Sequence, residues 1–422
     1  MQAIDATDAE YARLLEADPQ QPNAWRMRAR IALQDQRSSD AIELLKQGLK
    51  HLPSHTSLMG DLANIYLLLR DPLSARPLLE ALSNSPDEYP EFTANYGRLL
   101  WIEGDYDQAL KAFKEALERN PGDQKTATRV AQAYVSLGDA EKAMEFVQSR
   151  RDRGVTAGMM AVLAVCEFDL HGIEPALAAV KTGLQMQAEH PTLNYLHAVL
   201  LTLSGELDNA QAHVARFQQT GDIHVLWTSF QFAYGRSGNI SFHGLGTSLL
   251  DAALASAPSS GLVLEFGVYH GLSLRHLAQR VDGPVHGFDS FEGLPEDWKS
   301  DEPVGSYSAH GRLPLMPPQV ELHPGWFKDS LPSFVAQQTE NARLMHIDCD
   351  LYSSTRTVLN EVYPLLQAGS ILVFDEFFGY PGYEHHEFRA WNEFAKKFGL
   401  AYEYIGFTLM ARKAALRITK VA

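Results

Sequence analysis

Small residues recur in this chain at a fixed interval of 34. Ala41, Ala75, Ala109 and Ala143 form one series, and Ala29, Ala63, Gly97 and Ala131 form another. Pro19, Pro53 and Pro121 fall on the same frame, and Pro86 is one residue off it. A fixed period of this length means a repeated unit that cannot bury its apolar face alone, so neighbours must stack. Small side chains let paired helices approach closely. The prolines end one helix and set the turn into the next. The first half is therefore expected to be a solenoid of helix pairs.

The clearest unit runs from Asn95 to Ala116, with Gly97, Trp101, Gly104, Tyr106, Ala109 and Phe113 at its marker positions. It resembles the tetratricopeptide consensus almost position by position. Units after Thr156 are weaker, although Ala164 and Ala198 hold the phase and Ala210 is near it. Such a solenoid is either architectural, binding the rest of the chain or another copy of itself, or a concave groove for a peptide or carrier protein. The period fixes the fold and leaves that choice open.

The chain has 422 residues, too many for one ordinary core, so at least two domains are expected. Its net charge of −16 argues against nucleic acid and against an anionic membrane surface. Cys166 and Cys349 lie in different regions and imply neither a disulfide framework nor a cysteine zinc site. The acidic N-terminus lacks the apolar core of a signal peptide, and the longest apolar stretch, 158–166, is too short to span a bilayer. A reducing, cytoplasmic location is expected.

After Gly221 the repeat phase ends. Residues 222–245, rich in Gly, Ser and aromatics, read as a linker or lid. From there strands (262–266, 284–288, 319–323, 344–347, 371–374) alternate with helices (248–257, 272–280, 329–338, 353–366, 384–398), and 402–411 reads as a terminal hairpin. Alternation of this kind gives a mostly parallel sheet. The expected division is a solenoid over 1–221, a linker over 222–245 and an α/β domain over 246–422. Separate cores are expected, so that a fragment starting near Asp222 would fold alone.

Two acidic pairs sit at strand ends. Asp348 and Asp350 follow Leu-Met-His-Ile, and Asp375 and Glu376 follow Ile-Leu-Val-Phe. Ligands bind outside the carboxyl ends of strands in open α/β sheets. Four carboxylates meeting there repel one another, and a cation between them relieves the repulsion. Upstream, Glu265-Phe-Gly267-Val-Tyr269-His-Gly271 follows another strand. Its glycines allow a tight turn, but the spacing departs from the dinucleotide fingerprint, which counts against NAD. Glu265 is suited to a cationic cofactor such as S-adenosylmethionine. Asp289 ends the next strand, where an acid commonly takes both ribose hydroxyls; Asp-Ser also suits a turn cap.

Residues 264–378 resemble the macrocin-type O-methyltransferases, a group that includes novobiocin and mycinamicin sugar methyltransferases. The matching segments are Glu265–Ser273, Phe288–Pro295, Gly325–Pro332, Ile347–Ser353 and Phe374-Asp-Glu. The resemblance implies a class I methyltransferase fold with a Rossmann-like sheet, an S-adenosylmethionine donor, a bound Mg²⁺ and a small-molecule hydroxyl acceptor, on a sugar or glycosylated natural product. Carried over by position, Asp348, Asp375 and Glu376 would be metal ligands and Asp350 the general base. The family has Asp-Asp where this chain has Asp375-Glu376. Cofactor contacts would come from Glu265, Gly267, Tyr269, Gly271, Ser273, Asp289, Ser290 and Phe291. His270, His310, His323, His385 and His386 lack nucleophile or metal spacing and read as surface or hydrogen-bonding residues. Trp298, Tyr307 and Trp326 suit an apolar wall. The rival readings are an interaction scaffold with an inactive methyltransferase-like domain and an NAD-dependent sugar-modifying enzyme.

Overall fold

The computed structural model describes residues 2–83, 91–215, 221–236, 239–299, 302–410 and 412–421. Pro86 of the repeat frame and Ala411, the expected hairpin end, lie outside the described residues. The chain divides into two compact units, residues 1–130 and 131–422.

Among the described residues the first unit is built of helices: α1 (Gln2–Ala17), α2 (Pro22–Gln34), α3 (Ser38–His51), α4 (Thr56–Leu68), α5 (Pro72–Leu82), α6 (Phe92–Ile102), α7 (Tyr106–Arg119) and the start of α8 (Gln124–Ser136). Helices pack as the pairs α2–α3, α4–α5 and α6–α7. The series of small residues marks the contacts. Ala41, Ala63, Ala75 and Ala109 have no exposed surface. At Gly97 even a methyl group is excluded, since a Cβ there would lie 2.8 Å from the Phe113 ring. Asp71 and Asp105 share the frame too. Each opens the second helix of its pair by accepting an amide hydrogen bond, from Ser74 at 3.0 Å and Gln108 at 3.3 Å.

The second unit begins with the end of α8 and continues through α9 (Ala140–Ser149), α10 (Ala157–His171), α11 (Ile173–Met186), α12 (Pro191–Leu203), α13 (Leu207–Val214) and α14 (Gly221–Tyr234). Then follow β1 (Ser241–His243), α15 (Gly246–Ser256), β2 (Leu262–Phe266), α16 (Leu272–Ala278), β3 (Val285–Asp289), β4 (Val320–Pro324), α17 (Phe327–Val335), β5 (Ala342–Ile347), α18 (Tyr352–Val362), β6 (Ile371–Phe374), α19 (Glu387–Lys397), β7 (Ala401–Thr408) and β8 (Ala414–Lys420). The strands form one eight-stranded sheet in the order β1-β7-β8-β6-β5-β2-β3-β4. Only β8 runs antiparallel to its neighbours. Phe266 pairs with Phe288 on one side and Ile347 on the other, and Ile347 pairs with Phe374. That register brings Asp289, Gly267, Asp348 and Asp375 to one line at the strand ends.

Three boundaries differ from the sequence expectation. The segment 222–245 contains α14, whose Trp227 and Phe230 are buried, and β1, which joins the sheet beside β7. The second hairpin strand starts at Ala414, beyond the expected hairpin. The compact units divide at 130/131 rather than at 221 because the later helices pack on the sheet domain. Buried Tyr195 donates its hydroxyl to the Leu409 carbonyl at 2.7 Å. Asp169 accepts the amides of Gly244 and Leu245. A Cβ on Gly244 would lie 2.0 Å from the Val165 carbonyl oxygen. A fragment cut at Asp222 would strip away these contacts. Among the described residues, no helix is long and apolar enough to cross a membrane.

Candidate active site

The site is assembled from the turns that follow β2, β3, β5 and β6. Gly267 leaves β2 with φ +90°, and a Cβ there would lie 1.8 Å from the Asp348 carbonyl oxygen. Only glycine fits, because the turn after β5 crosses the tip of β2, where the Asp348 amide bonds the Phe266 carbonyl at 2.8 Å. Asp289 ties the turn together. One carboxylate oxygen accepts the Val268 and Tyr269 amides at 2.7 Å each, and the other accepts that of Phe291 at 2.6 Å. These bonds hold Tyr269 and Phe291 at φ +51° and +60°, a region that side chains seldom adopt.

Beyond β5 and β6 the four acids line a single cavity of about 300 Å³ together with Gly267, Tyr269, Asp289, Ser290, Trp298, Tyr307 and Trp326. Asp350 is held at φ +60°. Burial raises the Asp348 carboxyl, and burial with the neighbouring Asp348 charge raises Asp350 well above the usual carboxylate range. Glu376 is raised by burial against the pull of Arg412.

The structure separates the expected residues. Gly267, Tyr269, Asp289, Ser290, Asp348, Asp350, Asp375 and Glu376 share the cavity wall. Glu265 does not. It is wholly buried beneath the wall, where it bonds His346 Nδ1 at 2.9 Å, so the reading of it as partner of a cationic cofactor is not kept. Gly271 is the N-cap of α16 and Ser273 sits in its first turn, both outside the cavity wall, as is buried Phe291. Trp298, Tyr307 and Trp326 do form a wall. His386 stands behind Trp298 with ring centroids 6.4 Å apart; His270, His310, His323 and His385 lie off the wall.

Four residues that the sequence reading passed over shape the site. His346 bridges Glu265 and Asp375, its Nε2 lying 3.2 Å from Asp375 Oδ1, and it groups with Asp348 and Asp375 in a constellation that suits a metal. A lone His inside an apolar strand was the available signal. Arg412 holds Glu376 at 3.1 and 3.2 Å, and Lys413 pairs with Asp375. Glu387 is fully buried and accepts the amides of Cys349, Asp350 and Glu376 at 3.1–3.2 Å. Glu387 occupies the same helix face as Ala390, Trp391 and Phe394, and an acid on such a stripe was its signal.

The arrangement predicts a dual role for Asp289. A carboxylate offers about four lone-pair positions, three of which serve the turn here, leaving room for a ribose hydroxyl. Asp289→Ala should weaken S-adenosylmethionine binding by roughly 10–100-fold in calorimetry, the loss expected for a charge-assisted contact. Unchanged affinity would leave Asp289 as a turn residue only.

Residues 264–377 match a family described as a methyltransferase domain. Segments between residues 5 and 156 match tetratricopeptide repeat families. The chain is 25% identical over 210 residues to mycinamicin III 3''-O-methyltransferase of Micromonospora griseorubida, covering 44% of this chain and 78% of that one. It is 33% identical over 169 residues to demethyldecarbamoylnovobiocin O-methyltransferase of Streptomyces niveus, covering 34% of this chain and 62% of the relative. A solved structure of the O-methyltransferase NovP aligns over 42% of this chain and 82% of its own, at 24% identity and a TM-score of 0.32. With tetratricopeptide matches on its N-terminal side, the chain carries a C-terminal region that matches a methyltransferase domain and is similar to O-methyltransferases named for mycinamicin and novobiocin.

Proposed function

We propose that the chain methylates a hydroxyl of a sugar or glycosylated natural product, with Mg²⁺ at the acid cluster and Asp350 as general base. The carrying observation is the convergence of the glycine turn, Asp289 and both acidic pairs on one cavity. The acceptor class follows the names of the relatives. The donor set fits a hard cation, because crowded buried carboxylates supply oxygen and gain from a positive charge. Asp348 and Asp375 would hold the ion, joined by Glu376 once it leaves Arg412; a cation there orients an acceptor oxygen and lowers its hydroxyl pKa. Asp350 accepts the hydroxyl proton on its carboxylate. The Gly267 turn and Asp289 orient the nucleoside, whose sulfonium carries the methyl group that is transferred. Trp298, Tyr307 and Trp326 offer faces for a sugar ring and exclude water. The repeats would serve a protein partner or self-association.

The pairs Lys413–Asp375 and Arg412–Glu376 favour a second reading, in which these side chains neutralise the cluster and no divalent ion enters. Chelation separates the two. Dialysis against EDTA should lower turnover at least about tenfold, and added Mg²⁺ should restore it, given the several kcal/mol a catalytic cation supplies. Calorimetry should show a Mg²⁺ site that Asp375→Asn removes. Turnover indifferent to chelator, with no heat of Mg²⁺ binding, would favour the second reading.

A further inference from the structure

A second group of metal-binding side chains lies away from the cavity, at the β4 edge of the sheet. His286 of β3 and Glu321 of β4 are register partners, and His323 follows two residues along the same face. His286 Nδ1 is 3.1 Å from His323 Nε2 and 3.5 Å from Glu321 Oε2. All three donor atoms lie within 4.8 Å of one another. Around a tetrahedral ion with metal–nitrogen bonds of about 2.0–2.1 Å, neighbouring donors stand roughly 3.3–3.4 Å apart. The two shorter separations bracket that edge length.

The imidazoles are also held in place. His323 stacks on Phe288 with ring centroids 4.5 Å apart and planes 12° from parallel. His286 meets Phe334 edge-on at 5.0 Å. Rings locked by packing lose little freedom when they ligate. Burial lowers the pKa of both histidines, which favours the neutral ring that a metal requires. Glu321 reaches from the exposed side and supplies a negative charge.

We propose that His286, His323 and Glu321 form a binding site for a borderline transition-metal dication such as Zn²⁺. Two imidazoles and one carboxylate with an open fourth position suit that class better than Mg²⁺, which prefers an octahedron of oxygens. An ion there would clamp the edge strand to β3. It would brace two strands whose ends lead directly into the cavity wall, β3 at Asp289 and β4, through Gly325, at Trp326.

Zn²⁺ titration of the untagged full chain in saturating Mg²⁺, followed by calorimetry and thermal melting, tests this. Asp375→Asn serves as the background that disables the acid cluster. In that background one Zn²⁺ should bind and raise the melting temperature. His323→Ala should weaken it by more than the roughly 10–100-fold typical of outer-shell changes. Glu321→Gln, at an exposed position that leaves packing intact, should weaken it at least about tenfold. If His323→Ala fails to fold, as read by circular dichroism, Glu321→Gln carries the test alone. Absence of Zn²⁺ binding in the Asp375→Asn background, or affinity unchanged by Glu321→Gln, overturns the proposal.

Discussion

Asp350→Asn is expected to lower turnover by roughly two to four orders of magnitude, the usual contribution of a general base, with cofactor affinity unchanged. The substitution isolates chemistry from structure. Asn tolerates the left-handed backbone that Asp350 adopts at φ +60°, and the Asp350 amide keeps its bond to Glu387. What is lost is a carboxylate able to take a proton. Single-turnover rates beside calorimetric binding of the cofactor distinguish the two effects. A fully active variant would reassign the base.

Glu387→Ala should destabilise the protein by about 2–4 kcal/mol, since one buried and two partly buried amides lose their acceptor at up to roughly 1–3 kcal/mol each and water recovers part. Glu387 fastens both acidic turns with one carboxylate, so its loss should also slacken the cation site and the base. Calorimetric unfolding checks the first effect. A change within about 0.5 kcal/mol, the level of an ordinary surface substitution, would mean that the amides find other partners. The pH dependence has a definite sign. Burial and the nearby Asp348 charge push the Glu387 carboxyl from 4.5 up to about 8, against the pull of the amide donors. The folded state then holds this proton more tightly than the unfolded chain. The resulting stabilisation is complete below about 4.5 and is lost as pH rises through about 8. Glu387→Gln, which cannot titrate, should flatten that slope in metal-free protein.

What the sequence disclosed follows from how local each signal is. The repeat frame was readable because each small residue meets the neighbouring helix of its own unit, so Ala41, Ala75 and Ala109 report their burial through spacing alone. Asp348, Asp350, Asp375 and Glu376 were readable because each pair ends an apolar strand, and parallel register then aligns the ends. Arg412, Lys413 and Glu387 were not, since all but one of their partners lie 36–38 residues away in the chain, brought close only by the folded sheet. Glu265 misled for a related reason. Its position in the glycine turn suggests a ligand contact, yet its side chain points beneath the wall to His346. The packing of the later helices against the sheet domain also had a signal in the sequence. Residues 157–166 are buried almost throughout, and a helix apolar all round needs cover on every side, which one solenoid neighbour cannot give.

The bond from Tyr195 to Leu409 bears on how such chains can be recombined. Leu409 lies only a few residues before Arg412 and Lys413, the two cations set against the acid cluster. Helices from α10 onward are therefore part of the mould that shapes the catalytic sheet rather than an interchangeable sleeve. A crossover placed later in the helical region must carry Asp169 and Tyr195 with the sheet they fit.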